Sequence, residues 1–107
     1  MALSILYITA KDENEAKNLS KILVAEKLIA CANIHNISSI YEWNGKLQDD
    51  KEAVIIAKTT DKLAEKVMKR VKEIHSYEIP CILSFPAKGN KEYVEWVEKA
   101  TKNKVFF

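Results

Sequence analysis

Two long strand-like arms joined by Asn44-Gly45 leave this chain few folds to adopt. The arms run from Cys31 to Trp43 and from Lys46 to Thr59. Asn-Gly is a strong two-residue hairpin signal, because both residues accept the positive φ of a type I′ turn. At ~3.3 Å per residue such an arm reaches roughly 40 Å. A compact chain of 107 residues has a radius of gyration near ~13 Å, hence a diameter of about 35 Å. The hairpin tip is therefore predicted to project beyond its own core. It carries Ile40, Tyr41, Trp43 and Leu47, and a protruding apolar ribbon is stable in water when another chain covers it. Self-association is expected before any chemistry is considered.

The charge balance names no partner. A formal charge of +2, with 30% charged and 48% hydrophobic residues, is ordinary for a globular protein and predicts neither nucleic acid nor membrane as a ligand. The chain reads as one domain over 1–107, large enough to bury a core that needs no cofactor, metal or disulfide to fold. Met1 to Thr9 is apolar but short and lacks a basic leader, so neither a secretory signal nor a membrane span is expected, and a cytoplasmic location is the default. Cys31 and Cys81, the two cysteines, fit reduced thiols better than a disulfide framework.

Hydrophobic periodicity supplies the remaining elements. Leu3 to Thr9 reads as a buried strand. Asp12, with Glu15 three residues on, opens a helix whose apolar face is Ala16, Leu19, Ile22 and Leu23. Asp61 opens a second helix with Leu63, Val67, Val71 and Ile74 inward and a solvated charged face. Cys81 to Phe85, between two prolines, is a short strand; Asn90 caps a third helix with Tyr93, Val97 and Ala100 inward; Lys104 to Phe107 is a further short strand or a frayed tail. The order predicts an α+β, ferredoxin-like βαββαβ sandwich with strand order 4-1-3-2 and a C-terminal helix. Both crossover helices then cover one sheet face. Leu3 to Ile8 and Ala53 to Ala57 are nevertheless apolar at both parities, so the other face needs a cover as well.

Few residues stand out as chemistry. His75, closing the second helix in His75-Ser76-Tyr77-Glu78-Ile79-Pro80, can ligate metal or move protons, and serves equally as an electrostatic cap. Cys31, Asn33 and His35 share strand parity. Cys31 and Cys81 belong to opposite sheet edges, roughly 14 Å apart at ~4.8 Å per strand, so a joint metal site must cross a subunit boundary. Lys46, Glu52 and Lys58 lie on one parity of the returning arm, and with Tyr41 and Trp43 they could line a cleft for a small anion. No Gly-rich phosphate loop, paired CxxC or HExxH occurs, and no nucleophile-base-orienter set is visible, so no enzyme is expected. RNA binding through this topology needs strand aromatics, and Ala53-Val54-Ile55-Ile56-Ala57 has none.

Glu26-Lys27-Leu28-Ile29-Ala30-Cys31-Ala32-Asn33-Ile34, Tyr41-Glu42-Trp43-Asn44-Gly45-Lys46-Leu47, Glu52, Lys58-Thr59, His75 to Pro80 and Tyr93-Val94-Glu95-Trp96 resemble the divalent-cation tolerance protein CutA family, in its order and spacing across nearly the whole chain. The resemblance implies a homotrimer, a role in tolerance to divalent ions and binding of copper or another divalent cation. The family's proposed copper ligands are a strand-one cysteine and two histidines ending helix two. The matching positions here hold Ile8, Ile74 and His75, which leaves His75 as the leading metal candidate, with Cys31, His35 and Cys81 as further donors. The family also resembles the trimeric PII signalling proteins. That likeness offers a second reading, in which Tyr41, Trp43, Lys46, Lys58, Tyr77 and Trp96 form a ligand cleft or interface between subunits.

Overall fold

The computed structural model describes residues 2–102. Its elements are β1 (Leu3–Ala10), α1 (Glu13–Ala25), β2 (Cys31–Trp43), β3 (Lys46–Thr60), α2 (Ala64–Ile74), β4 (Ile82–Ala87) and α3 (Lys91–Ala100). The strands form one antiparallel sheet in the order β2-β3-β1-β4, the ferredoxin-like arrangement, with α3 added at the end. Leu6, Ile8 and Ala10 pair with Ala57, Ile55 and Ala53 on one sheet face. Ala16, Leu19 and Leu23 of α1 and Val67 and Val71 of α2 close over that face in a single buried cluster. The tail at Lys104 to Phe107 lies outside the described residues.

Local signals fixed the element ends, with small departures. Asp12 Oδ1 accepts the Glu15 N–H at 2.8 Å. Glu15 does not return to the cap residue, as a strict capping box requires; its Oε1 accepts the Lys11 N–H at 2.9 Å, one residue earlier. Ile22 is only half-buried, and Ser20 takes the inward position. The helix ends in a Schellman pair, Leu28 N–H to Leu23 O at 2.9 Å and Lys27 N–H to Val24 O at 3.0 Å, with Lys27 at φ 60° where glycine is usual. One 3₁₀ turn, Asp61–Leu63, precedes α2. β4 runs on through Pro86 to Ala87, which an edge strand tolerates because the missing N–H faces away from the sheet. In α3 the fully inward residues are Val94 and Val97, with Tyr93 and Ala100 at the margin, and the Asn90 side chain makes no capping bond.

The second sheet face is covered in part. Leu3, Ala30, Val94 and Val97 form a small cluster where α3 crosses it, while Leu83 and Phe85 stay 50% and 48% exposed. Asn44 and Gly45 sit at φ 52° and 76°, the two positive values of a type I′ turn, and pairing continues to Trp43↔Lys46. The molecule measures 52 × 31 × 20 Å with a radius of gyration of 14.8 Å, above the ~13 Å of a compact chain of this length. Ile40 and Leu47 at the tip are 70% and 77% exposed. The ribbon outruns the globule, as its length demands. Among the described residues no helix is long and apolar enough to cross a membrane.

Candidate functional site

Residues 75–81 carry the chain from α2 to β4 across the end of the sheet, and their path forms one wall of a cavity. It encloses about 460 Å³ between Thr9, Tyr41, Trp43, Glu52 and the segment from Ser76 to Cys81. Tyr41 and Trp43 share a strand parity, and Glu52 falls on the same sheet face through the β2-β3 register. Tyr77 O–H donates to Glu52 Oε2. Burial first, and that bond second, push the Tyr77 phenol above its ordinary value, so it stays a donor. Tyr41 O–H donates to Asp50 Oδ2 at 2.7 Å.

His75 sits behind this wall as the C-cap of α2. Its Nδ1 accepts the Tyr77 N–H at 3.0 Å, which fixes Nε2 as the protonated nitrogen, donating to the Thr9 carbonyl at 2.7 Å. Its ring leans on Tyr77 at 4.8 Å and 52°. Both ring nitrogens are thus engaged within the chain, and ligating a metal requires one of these bonds to open. The neighbouring positions explain why no ligand set gathers here. Ile8 is fully buried in the core and Ile74 packs against it, so the positions that the resemblance matches to copper ligands do packing work instead.

The other candidate donors are dispersed. Cys81 lines the cavity as a half-buried free thiol. Cys31 lies on the opposite edge strand, its Sγ 3.3 Å from the Tyr93 hydroxyl. Burial and that contact raise the Tyr93 phenol to about 12, and Tyr93 stacks on Trp96 at 5.6 Å. His35 is exposed on β2 opposite Val54. Among the described residues no three His, Cys, Asp or Glu side chains meet as a cation site, so one chain alone does not fit a closed copper centre. The cleft candidates also divide. Tyr41, Trp43 and Tyr77 meet in the cavity, whereas Lys46 pairs with Trp43 at the turn, Lys58 donates to Asn33 far down the sheet, and Trp96 belongs to α3. The cavity has carboxylates, Glu52 and Glu78, and among the described residues no lysine or arginine in its lining, which disfavours an anion there.

Sequence reasoning did not assign Thr9, Ser76, Glu78 or Ile79 to the site, and it placed Glu52 only by parity. The spacing of Glu52 from Tyr41 across a two-residue turn was the available signal; the fold of 75–81 had none.

Glu15 ties this segment down, its Oε2 accepting the Ser76 N–H at 3.0 Å while Oε1 holds Lys11. Burial pulls its pKa upward, but hydrogen bonds from Ser76 and Lys11 outweigh that and leave it below the ordinary 4.5. A depressed folded value means that the stability it supplies is present above about pH 4.5 and is lost as pH falls through the folded value. Glu15→Gln is therefore expected to lower the urea midpoint at pH 7 and to flatten its decline below pH 4.5. Parallel midpoint curves for the two proteins in that range would exclude the linkage.

Residues 4–100 match the family described as CutA1 divalent ion tolerance protein. The chain is similar to the divalent-cation tolerance protein CutA of Thermus thermophilus, 39% identical over 91% of this chain and 96% of that protein. It is also similar to the chloroplastic protein CutA of Arabidopsis thaliana, 38% identical over 92% of this chain, of whose length the match spans 56%. The crystal structure of CutA1 from Pyrococcus horikoshii superposes with a TM-score of 0.91 at 37% identity, covering 94% of this chain and 99% of that one.

Proposed function

The chain belongs to the CutA1 divalent ion tolerance family, and from that premise we propose that it works as a non-enzymatic homotrimer in the cytoplasm, taking copper through donors from more than one subunit. The projecting hairpin carries the reading. Ile40 and Leu47 at its tip, and Leu83 and Phe85 on the open sheet face, present apolar area that water leaves unsupported and neighbouring copies cover. Copper enters for a chemical reason. Thiolate and imidazole are the donors that suit it, and Cys81 and His75 flank one wall of the cavity, too few for a closed site until a second chain adds its own. Free thiols at Cys31 and Cys81 agree with a reducing compartment.

The test combines mass with cargo on one purified sample. Sedimentation is expected to give three times the 12.2 kDa chain mass, and equilibrium dialysis is expected to show copper retention that falls in Cys81→Ser and in His75→Ala while the mass stays constant. A folded monomer at micromolar concentration overturns the assembly. Retention unchanged in both variants removes these two residues from the copper site.

A further inference from the structure

We propose that the cavity walled by Tyr41, Trp43 and Tyr77 and charged by Glu52 and Glu78 is a binding site for a methylated organic ammonium ion. The sign of the ligand follows from the lining, which among the described residues holds two carboxylates and neither lysine nor arginine. Glu52 makes the charge consequential. The residue is only 8% exposed, one of its oxygens is taken by Tyr77, and among the described residues no protein donor meets the other. A largely buried carboxylate with an acceptor to spare, on the wall of this cavity and of the neighbouring one lined by Asp12, Glu13 and Lys51, is stabilised by a cation entering beside it.

The walls select among cations. A bare metal ion needs several convergent donors, and among the described residues one chain by itself brings no three together here. Aromatic faces, by contrast, attract a diffuse cation through the ring quadrupole and shed little solvation from its methyl groups. Two of the rings are held in place before any ligand arrives. Tyr77 is tied by its hydroxyl to Glu52 and by ring contact to His75, and Tyr41 is tied to Asp50, so little ordering entropy is lost on binding. The space, about 460 Å³, lies in the ~300–1,000 Å³ range of small-molecule pockets. All these groups come from one chain, so the inference goes beyond ion tolerance; of the proposed assembly it requires only that the covering copies leave this cavity open.

Choline and its uncharged isostere 3,3-dimethyl-1-butanol separate charge recognition from simple apolar filling. In a Trp96→Phe background, which leaves Trp43 as the reporter tryptophan, choline is expected to change the emission saturably, and the alcohol to need about tenfold higher concentration or more. By calorimetry Trp43→Leu is expected to weaken choline about 3- to 30-fold, and Glu52→Gln to weaken it by roughly tenfold without affecting the alcohol. Glu78→Gln, at an exposed position, is expected to act in the same direction and guards against a folding defect in the Glu52 variant. Equal affinity for the two probes, or choline binding untouched by both carboxylate variants, overturns the proposal, as does the absence of saturation by choline. Sedimentation of the same samples reads the assembly separately, so neither result decides the other.

Discussion

Ile8→Ala is expected to lower the unfolding free energy by about 2–5 kcal/mol and the melting temperature by roughly 10 °C or more. Ile8 is fully buried, lies in register with Ile55 on one side and Ile82 on the other, and faces the cluster closed by α1 and α2. The helices and sheet cannot collapse into the space of the removed methyls without breaking that register, so the full cavity term applies. Val24→Ala is the control: at 44% exposure on α1, it is expected to change stability by no more than ~0.5 kcal/mol. A melting shift for Ile8→Ala as small as that of the control would show that β1 is not the centre of the core. The same burial has a functional corollary. Cysteine installed at position 8 would point its thiol into the helix-side core, away from the cavity that holds Cys81.

The fold was legible because its signals were local and mutually consistent. Asn44-Gly45 set a type I′ turn, the turn set the β2-β3 register, and arms too long for the globule made projection unavoidable. The apolar parities of Leu3 to Ile8 and Ala53 to Ala57 announced a sheet with two faces to cover, and both faces do carry apolar clusters. Errors arose where tertiary context outweighed pattern. On α1 Ser20 is buried and Ile22 only half-buried, because how a helix face is turned onto the sheet is decided by packing and not by the spacing of its apolar residues. Val94 rather than Ala100 sits at the heart of α3's contact because α3 crosses only the end of the sheet near Leu3. Pro86 looked like a strand terminator and is not one, since edge position is a property of topology rather than of sequence.

The site was less legible, for a physical reason. Tyr41, Trp43 and Tyr77 were each conspicuous, but whether they meet depends on how 75–81 crosses the sheet end, and that path is set by contacts distant in sequence: His75 with Thr9, Ser76 with Glu15, Tyr77 with Glu52. Parity put Lys46, Glu52 and Lys58 on one sheet face but said nothing of distance along it. At ~3.3 Å per residue, the six-residue step from Glu52 to Lys58 is roughly 20 Å, far too long for one small ligand to span. The same parity argument therefore suggested an anion cleft, where the gathered groups are acidic.

Ile40→Lys combined with Leu47→Lys is expected to dissociate the proposed homotrimer while leaving the subunit folded. Ile40 stands opposite Asp49 and Leu47 opposite Glu42, so each new ammonium gains a cross-strand carboxylate and the hairpin keeps its register. Covering either native side chain with a neighbouring copy stabilises by about 1.5–3 kcal/mol. Losing both therefore weakens association by roughly 10²- to 10⁴-fold per contact, before the cost of burying charge is added. Sedimentation velocity across a dilution series, with circular dichroism on the same cells, reads mass and strand content together. The expected result is a folded species at the mass of one chain under conditions where the parent protein stays associated. An unchanged mass down to submicromolar concentration would mean that the tip stays wet in the assembly, and that association runs instead through the Leu83 and Phe85 face of the sheet.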